Sequence, residues 1–132
     1  MPRDLDTLAR AAGGVVQGEN VRFGPVQSDT RAIEAGALFV ALRGERFDGH
    51  DFVPDAAARG AAAALVSRSV SVPIPQVIVS DTLAGLSRYA NAWRRGCAAK
   101  VVGVTGSNGK TTVKEMLGAI LGRMGACLVT QG

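Results

Sequence analysis

The sequence predicts an α/β protein, and three observations carry that prediction. Short apolar stretches with strand character alternate with amphipathic stretches of helical period along most of the chain. Glycines and prolines punctuate the joints between them. Toward the C-terminal end an apolar, β-branched run, Val101-Val102-Gly103-Val104-Thr105, stops at a glycine-rich loop that opens a helix. The expected architecture is a small N-terminal α/β domain over residues 1–98. Residues 99–132 would then form the first strand, P-loop and helix of a parallel-sheet ATPase domain.

The elements follow in order. Asp4 to Ala12 reads as a helix with Leu5, Leu8, Ala9 and Ala12 on one face, ended by Gly13-Gly14. Val21 to Val26 suits a strand, and Ser28-Asp29-Thr30-Arg31 is a polar turn before Ile33. Leu38 to Leu42 is short and wholly apolar, the pattern of a buried strand. Gly44 to Asp51 is a polar loop, and Phe52 to Arg59 a helix that stops at Gly60. Ala61 to Val66 and Gln76 to Val79 are two more buried strands, joined through a turn marked by Pro73 and Pro75. Asp81 is a helix N-cap, with Leu83, Leu86, Ala90 and Trp93 at helical spacing behind it. The last helix, Thr111 to Met124, carries an apolar stripe from Val113 through Met116, Leu117, Ile120 and Leu121 to Met124, and Leu128-Val129-Thr130 starts another strand.

Composition bounds the function. The chain has 132 residues, a formal charge of +4 and nearly half of its residues apolar, enough for one domain or for one domain and a fragment of another. Its arginines are scattered and do not interleave with aromatics, so the charge argues for a small anionic substrate rather than nucleic acid. Cys97 and Cys127 have neither disulfide-framework nor metal-site spacing, which suits a reducing compartment. There is no signal peptide and no apolar stretch of spanning length, so a cytoplasmic protein with no membrane partner is expected.

The chemistry lies in Gly106-Ser107-Asn108-Gly109-Lys110-Thr111-Thr112. In a loop between strand and helix, successive backbone N–H groups face a concavity that takes phosphate oxygens, and the helix N-terminus adds free donors and a positive dipole end. Lys110 would reach the β/γ-phosphates, and Thr111 would ligand Mg2+. Handling of ATP or a similar nucleotide is therefore expected. The spacing departs from the strict P-loop pattern: Val104 stands where glycine is wanted, and Gly106 lies three positions before Gly109.

That spacing resembles the ATP loop of the Mur ligases, which build the peptide of peptidoglycan. Ser28-Asp29-Thr30-Arg31, the run Gly36 to Leu42 and the run Gly44-Glu45-Arg46-Phe47-Asp48-Gly49-His50 are similar to that family's UDP-binding domain. The stretches Gly44 to Asp48 and Val113-Lys114-Glu115-Met116 are more like the member that adds D-alanyl-D-alanine than the member that adds the third amino acid. The resemblance implies an ATP-dependent amide ligation through an acyl phosphate, with UDP-N-acetylmuramoyl-tripeptide and D-alanyl-D-alanine as partners. It implies that Gly106 to Thr112 hold the triphosphate, with Lys110 catalytic and Thr111 on Mg2+, in an enzyme that acts as a monomer. Ser28, Thr30, Arg31, Arg46 and Phe47 become candidates for the uridine diphosphate: hydroxyls for a base edge, arginine for pyrophosphate, an aromatic for stacking. On this reading the chain is the front piece of the enzyme and inactive alone. A stand-alone nucleotide-sugar binding module is the alternative.

Other residues have plainer readings. Arg31 is also placed to pair with Asp29 or Glu34, and Phe47 to plug the core. His50 reads as a loop or helix-start residue, Asp48 and Asp51 as turn and N-cap carboxylates. Met116 and Met124 read as core, and Trp93 as the residue that packs its helix onto the first domain.

Overall fold

The computed structural model describes residues 1–131. The chain divides into two compact units, Met1–Cys97 and Ala98–Gly132. The first holds a five-stranded sheet made of β1 (Val15–Gln17), β2 (Val26–Gln27), β3 (Leu38–Val40), β4 (Ala63–Val66) and β5 (Gln76–Ile78). Their spatial order is β1-β5-β4-β3-β2, with β1 antiparallel on β5 and every other pair parallel. The α/β class expected from the sequence is the one observed.

The middle strands are buried on both faces, so they read as continuous apolar runs rather than as alternations. Period two still sorts their side chains. Leu38, Val40, Ala63, Leu65 and Val77 join one core, with Leu5, Leu8 and Ala12 of α1 (Leu5–Ala12) and Tyr89 of α3 (Thr82–Arg95). Phe39, Ala41, Ala64 and Val66 join the other, with Val53 and Ala56 of α2 (Val53–Ala58). Helices on both faces of a mostly parallel sheet are the result.

Helix ends follow their sequence signals. Asp4 caps α1 by accepting from the Thr7 N–H at 2.8 Å, and Gly13 closes that helix in the left-handed region at φ 75°. Asp81 caps α3 through the Ala84 N–H, also at 2.8 Å. Arg88 of α3 donates to the carbonyl of Ala12 at 2.9 Å, which satisfies a free carbonyl at the end of α1. Trp93 packs beside this first core, with its ring next to Tyr89 and under the Arg3 guanidinium, as expected for a residue docking its helix.

Several expectations need correction. The strand expected over Val21–Val26 is confined to Val26–Gln27, while Val15–Gln17 forms an edge strand the sequence reading passed over. Only an isolated bridge joins Arg22 to Asp4. Three- and two-residue strands are too short to leave a periodic signal. Leu83 does not share the buried face of α3 and is 61% exposed. The buried line is Thr82, Gly85 and Tyr89, because Gly85 lets the helix approach Val79 closely.

The second unit contains α4 (Lys110–Leu121), which closes at Gly122 rather than running on to Met124 as expected. None of its residues is buried. Met116, Ile120 and Met124 are exposed, Met124 to 83%, which corrects the reading of that stripe as core. Val101–Thr105 and 128–130 form no sheet ladder among the described residues. A strand exists only through its pairing, and the two runs are not paired with each other. Val129 lies against Gly118, and Lys114 donates to the Thr130 carbonyl at 2.6 Å. No helix among the described residues is long and apolar enough to cross a membrane.

Candidate nucleotide-binding site

In the first unit the candidate substrate residues leave the same end of the sheet. Gln27 pairs in parallel register with Phe39, so the loop after β2 and the loop after β3 both emerge from carboxyl ends of adjacent strands. That end of an open parallel sheet is where ligands bind in doubly wound folds. Ser28, Thr30 and Arg31 belong to the first loop, Arg46 and Phe47 to the second. No hydrogen bond or ion pair among the described residues joins the two loops directly.

The first loop is a 3-10 turn over Thr30–Ala32. Asp29 caps it by accepting from the Arg31 N–H at 2.9 Å, and the same carboxylate takes the Arg31 guanidinium at 2.7 Å. The Arg31 hydrogen bond, first through the side chain and then through the backbone, holds the Asp29 carboxyl down to about 2. Of the two readings of Arg31, the surface pair is thus formed, and formed with Asp29. The Arg31 side chain stays 87% exposed, so the pair with Asp29 leaves part of its guanidinium open to solvent. Gln27 brackets the turn from below, donating to the Ala32 carbonyl and accepting from the Glu34 N–H, each at 2.9 Å. Sequence reading missed Gln27, since one glutamine at a strand end has no signature.

The second loop is closed by its own backbone. Gly44 N–H donates to the Phe47 carbonyl at 3.0 Å, and Gly49 N–H to the Leu42 carbonyl at 2.7 Å. A Cβ on Gly49 would sit 2.5 Å from that carbonyl oxygen, so only glycine allows the approach. Phe47 is not a core plug: its ring is 57% exposed and covers the backbone of Gly44. Asp48 caps the 3-10 turn Gly49–Phe52, as its turn reading required, and Asp51 caps nothing. His50 starts that turn as expected but is 2% exposed, between Asp48 and Ser67. Bonds from His50 and Arg68 hold the Asp48 carboxyl well below the usual carboxylate range.

Between the carboxyl ends of β3, β4 and β5 opens a cavity of about 220 Å³, lined by Leu42, Arg43, Ser67, Ser80, Asp81 and Thr82. A larger hollow of about 700 Å³ lies at the amino end of β5, between Gly18 and the Pro73–Pro75 turn. Glu19 is the one charged residue in its wall, a poor match for an anion, so size does not decide between the two.

In the second unit Gly106 to Thr112 are all exposed. Gly106 has φ 152° and Gly109 φ 74°, dihedrals that disfavour any side chain. Gly109 begins α4, and no side chain caps that helix. The N–H groups of Lys110, Thr111 and Thr112 therefore have no intrahelical acceptor. Uncapped amides, a helix dipole, one ammonium group and two hydroxyls form a donor set suited to polyphosphate.

The catalytic-domain model of the Mur ligase family matches residues 20–121, a span that takes in both loops of the sheet end and the whole phosphate loop. The chain belongs to the Mur ligase family. Over 128 residues it is 47% identical to the UDP-N-acetylmuramoyl-tripeptide–D-alanyl-D-alanine ligase of Escherichia coli, covering 97% of this chain and 28% of that one. Its structure is similar to the UDP-N-acetylmuramoylalanyl-D-glutamyl-2,6-diaminopimelate–D-alanyl-D-alanyl ligase of Acinetobacter baumannii. The TM-score is 0.88 at 38% identity, over 100% of this chain and 30% of that chain. It is also similar to the MurF ligase of Thermotoga maritima in complex with ADP, with a TM-score of 0.66 at 36% identity, over 75% of this chain and 23% of that one. The chain thus spans less than a third of the length of these Mur ligases.

Proposed function

We propose that this chain carries the uridine-nucleotide region and the phosphate loop of a Mur ligase that joins D-alanyl-D-alanine to UDP-N-acetylmuramoyl-tripeptide. The observation that carries the reading is the single family match running through both sheet-end loops and the phosphate loop. Likeness to a D-alanyl-D-alanine ligase along 97% of the chain favours that member of the family. Residues 1–98 form the substrate domain on this reading, and residues 99–132 open the ATP-binding domain.

ATP supplies the phosphoryl group that turns the tripeptide's terminal carboxylate into an acyl phosphate, and the dipeptide amine then displaces phosphate through a tetrahedral intermediate. The chain's own residues bind and neutralise. Gly106 to Gly109 and the free amides of Lys110 to Thr112 hold the phosphate oxygens, and the Lys110 ammonium offsets charge on the transferring group. Thr111 is the Mg2+ ligand. Ser28, Thr30, Arg31, Arg46 and Phe47 engage the uridine diphosphate, with Arg31 presenting the face that Asp29 leaves free. The enzyme acts in the cytoplasm as a monomer on small molecules, without nucleic acid or membrane partners.

Calorimetric titration of the 132-residue chain tests this. UDP and UDP-N-acetylmuramoyl-tripeptide are expected to bind, and a Thr30→Ala, Arg31→Ala double variant to lose both. No product is expected from the isolated chain with Mg2+-ATP and D-alanyl-D-alanine. A folded chain that ignores uridine ligands would sink the substrate-domain assignment.

A further inference from the structure

The loop that carries Arg46 and Phe47 is tied to the rest of the sheet by one buried side chain. The two nitrogens of the His50 ring face two different elements. Nδ1 lies 2.6 Å from Oδ1 of Asp48, at the end of the loop, and Nε2 lies 2.8 Å from the backbone nitrogen of Ser67, just past β4. Asp48 is held ionised by its bonds to His50 and Arg68, so its carboxylate is an acceptor only. The Ser67 N–H is a donor only. One protonation state satisfies both: a neutral ring with the proton on Nδ1 and a lone pair on Nε2. Through Asp48 the same staple gathers two cations, since Oδ2 takes Arg68 at 2.9 Å and Arg43 at 3.4 Å.

Asp48, His50 and Ser67 have the residue types of a nucleophile relay, but the geometry rules that use out. The Nε2 lone pair already accepts the Ser67 backbone N–H at 2.8 Å, while the Ser67 hydroxyl is farther, at 3.2 Å. With His50 closed off from solvent, no base is left for the hydroxyl.

We propose that His50 is a positioning residue: its Nδ1–H tautomer staples the Arg43–Asp48 loop to the end of β4 and thereby holds Arg46 and Phe47 for the uridine nucleotide. Ser67, a partner of the ring, and Arg43, which reaches the other oxygen of Asp48 at 3.4 Å, both line the carboxyl-end cavity. Apart from the ring bonds the loop has its backbone closures and the solvent-exposed pairs of Asp48 with Arg68 and Arg43, which hold a loop only weakly, so loss of the ring bonds loosens the exposed Arg46 and Phe47. The inference rests on the uridine-nucleotide reading above, and its test separates the two.

His50 is the single histidine of the chain, so its ring nitrogens can be read without assignment. Long-range 1H–15N correlation at neutral pH is expected to show protonated Nδ1 and bare Nε2; the opposite tautomer overturns the proposal. UDP titration then compares two isosteres. His50→Asn keeps a donor near Asp48 and loses the Ser67 acceptor, and is expected to weaken UDP binding about tenfold. His50→Gln reaches Ser67 with its amide oxygen and is expected to recover most of that affinity. A folded His50→Asn chain that binds UDP like the wild type overturns the proposal. Unfolding of both variants overturns it as well, since His50 would then serve folding rather than the loop. If the wild-type chain binds no UDP, the uridine reading itself fails and this inference with it, whichever tautomer is found.

Discussion

The two units carry apolar patterns of similar clarity and treat them in opposite ways. In the first, Leu5, Leu8, Phe39, Leu65 and Val77 disappear between helices and sheet. In the second, the stripe on α4 leaves Val113, Met116 and Ile120 open to solvent. A hydrophobic period specifies which face of an element wants cover; it does not supply the cover. The first unit brings its own partners for both faces of its central strands. The same contrast separates the candidate sites: the sheet-end loops are held by buried groups such as His50 and Gly49, whereas the phosphate loop is exposed throughout.

The sharpest test of that contrast pairs two truncations. Phe39→Ala is expected to cost the first unit about 3–5 kcal/mol in denaturant unfolding. Ile120→Ala should stay within about 0.5 kcal/mol. A cost above about 2 kcal/mol for Ile120→Ala would break the comparison. Gly49→Ala comes next: its methyl meets the Leu42 carbonyl, and about 1–3 kcal/mol is expected from urea midpoints. Asp81→Ala removes the cap of α3 and should cost about 0.5–2 kcal/mol, while the ungated N-terminus of α4 has no cap to lose.

The smallest effect is one of pH. Asp29 and Asp48 both have carboxyls held below their ordinary value of 3.8. A carboxyl depressed by folding contributes stability that is present above the unfolded value and lost as pH falls through the folded one. The thermal midpoint of the first unit should therefore hold above about pH 4 and fall from there toward pH 2. Asp29→Asn should reduce that slope between about pH 4 and pH 2, the interval between the ordinary carboxyl value and the one to which Arg31 holds Asp29. An unchanged slope would mean that the surface pair contributes nothing.

Much of the fold was legible because its signals are local. The cap at Asp81, the stop at Gly13 and the three buried central strands all follow from neighbours in sequence. Strand β1 was not legible, since its three residues become a strand only by pairing with β5. The phosphate loop could be read from spacing because it is one continuous stretch. The staple could not: Asp48 and His50 are near in sequence, but Ser67 lies 17 residues on from His50, and no pattern announces that bond.

The sequence alone therefore determined the α/β class, the stop of α1 at Gly13, the start of α3 at Asp81, the family, and the residues of both candidate loops. Only the tertiary structure decided which loops share a sheet end, that Arg31 closes onto Asp29, that His50 is a buried acceptor, and that the stripe of α4 lies exposed. Local signals act through bonds between near neighbours, which composition and spacing record. Register, burial and tautomer depend on groups brought together from distant parts of the chain, and they exist only once the strands have paired.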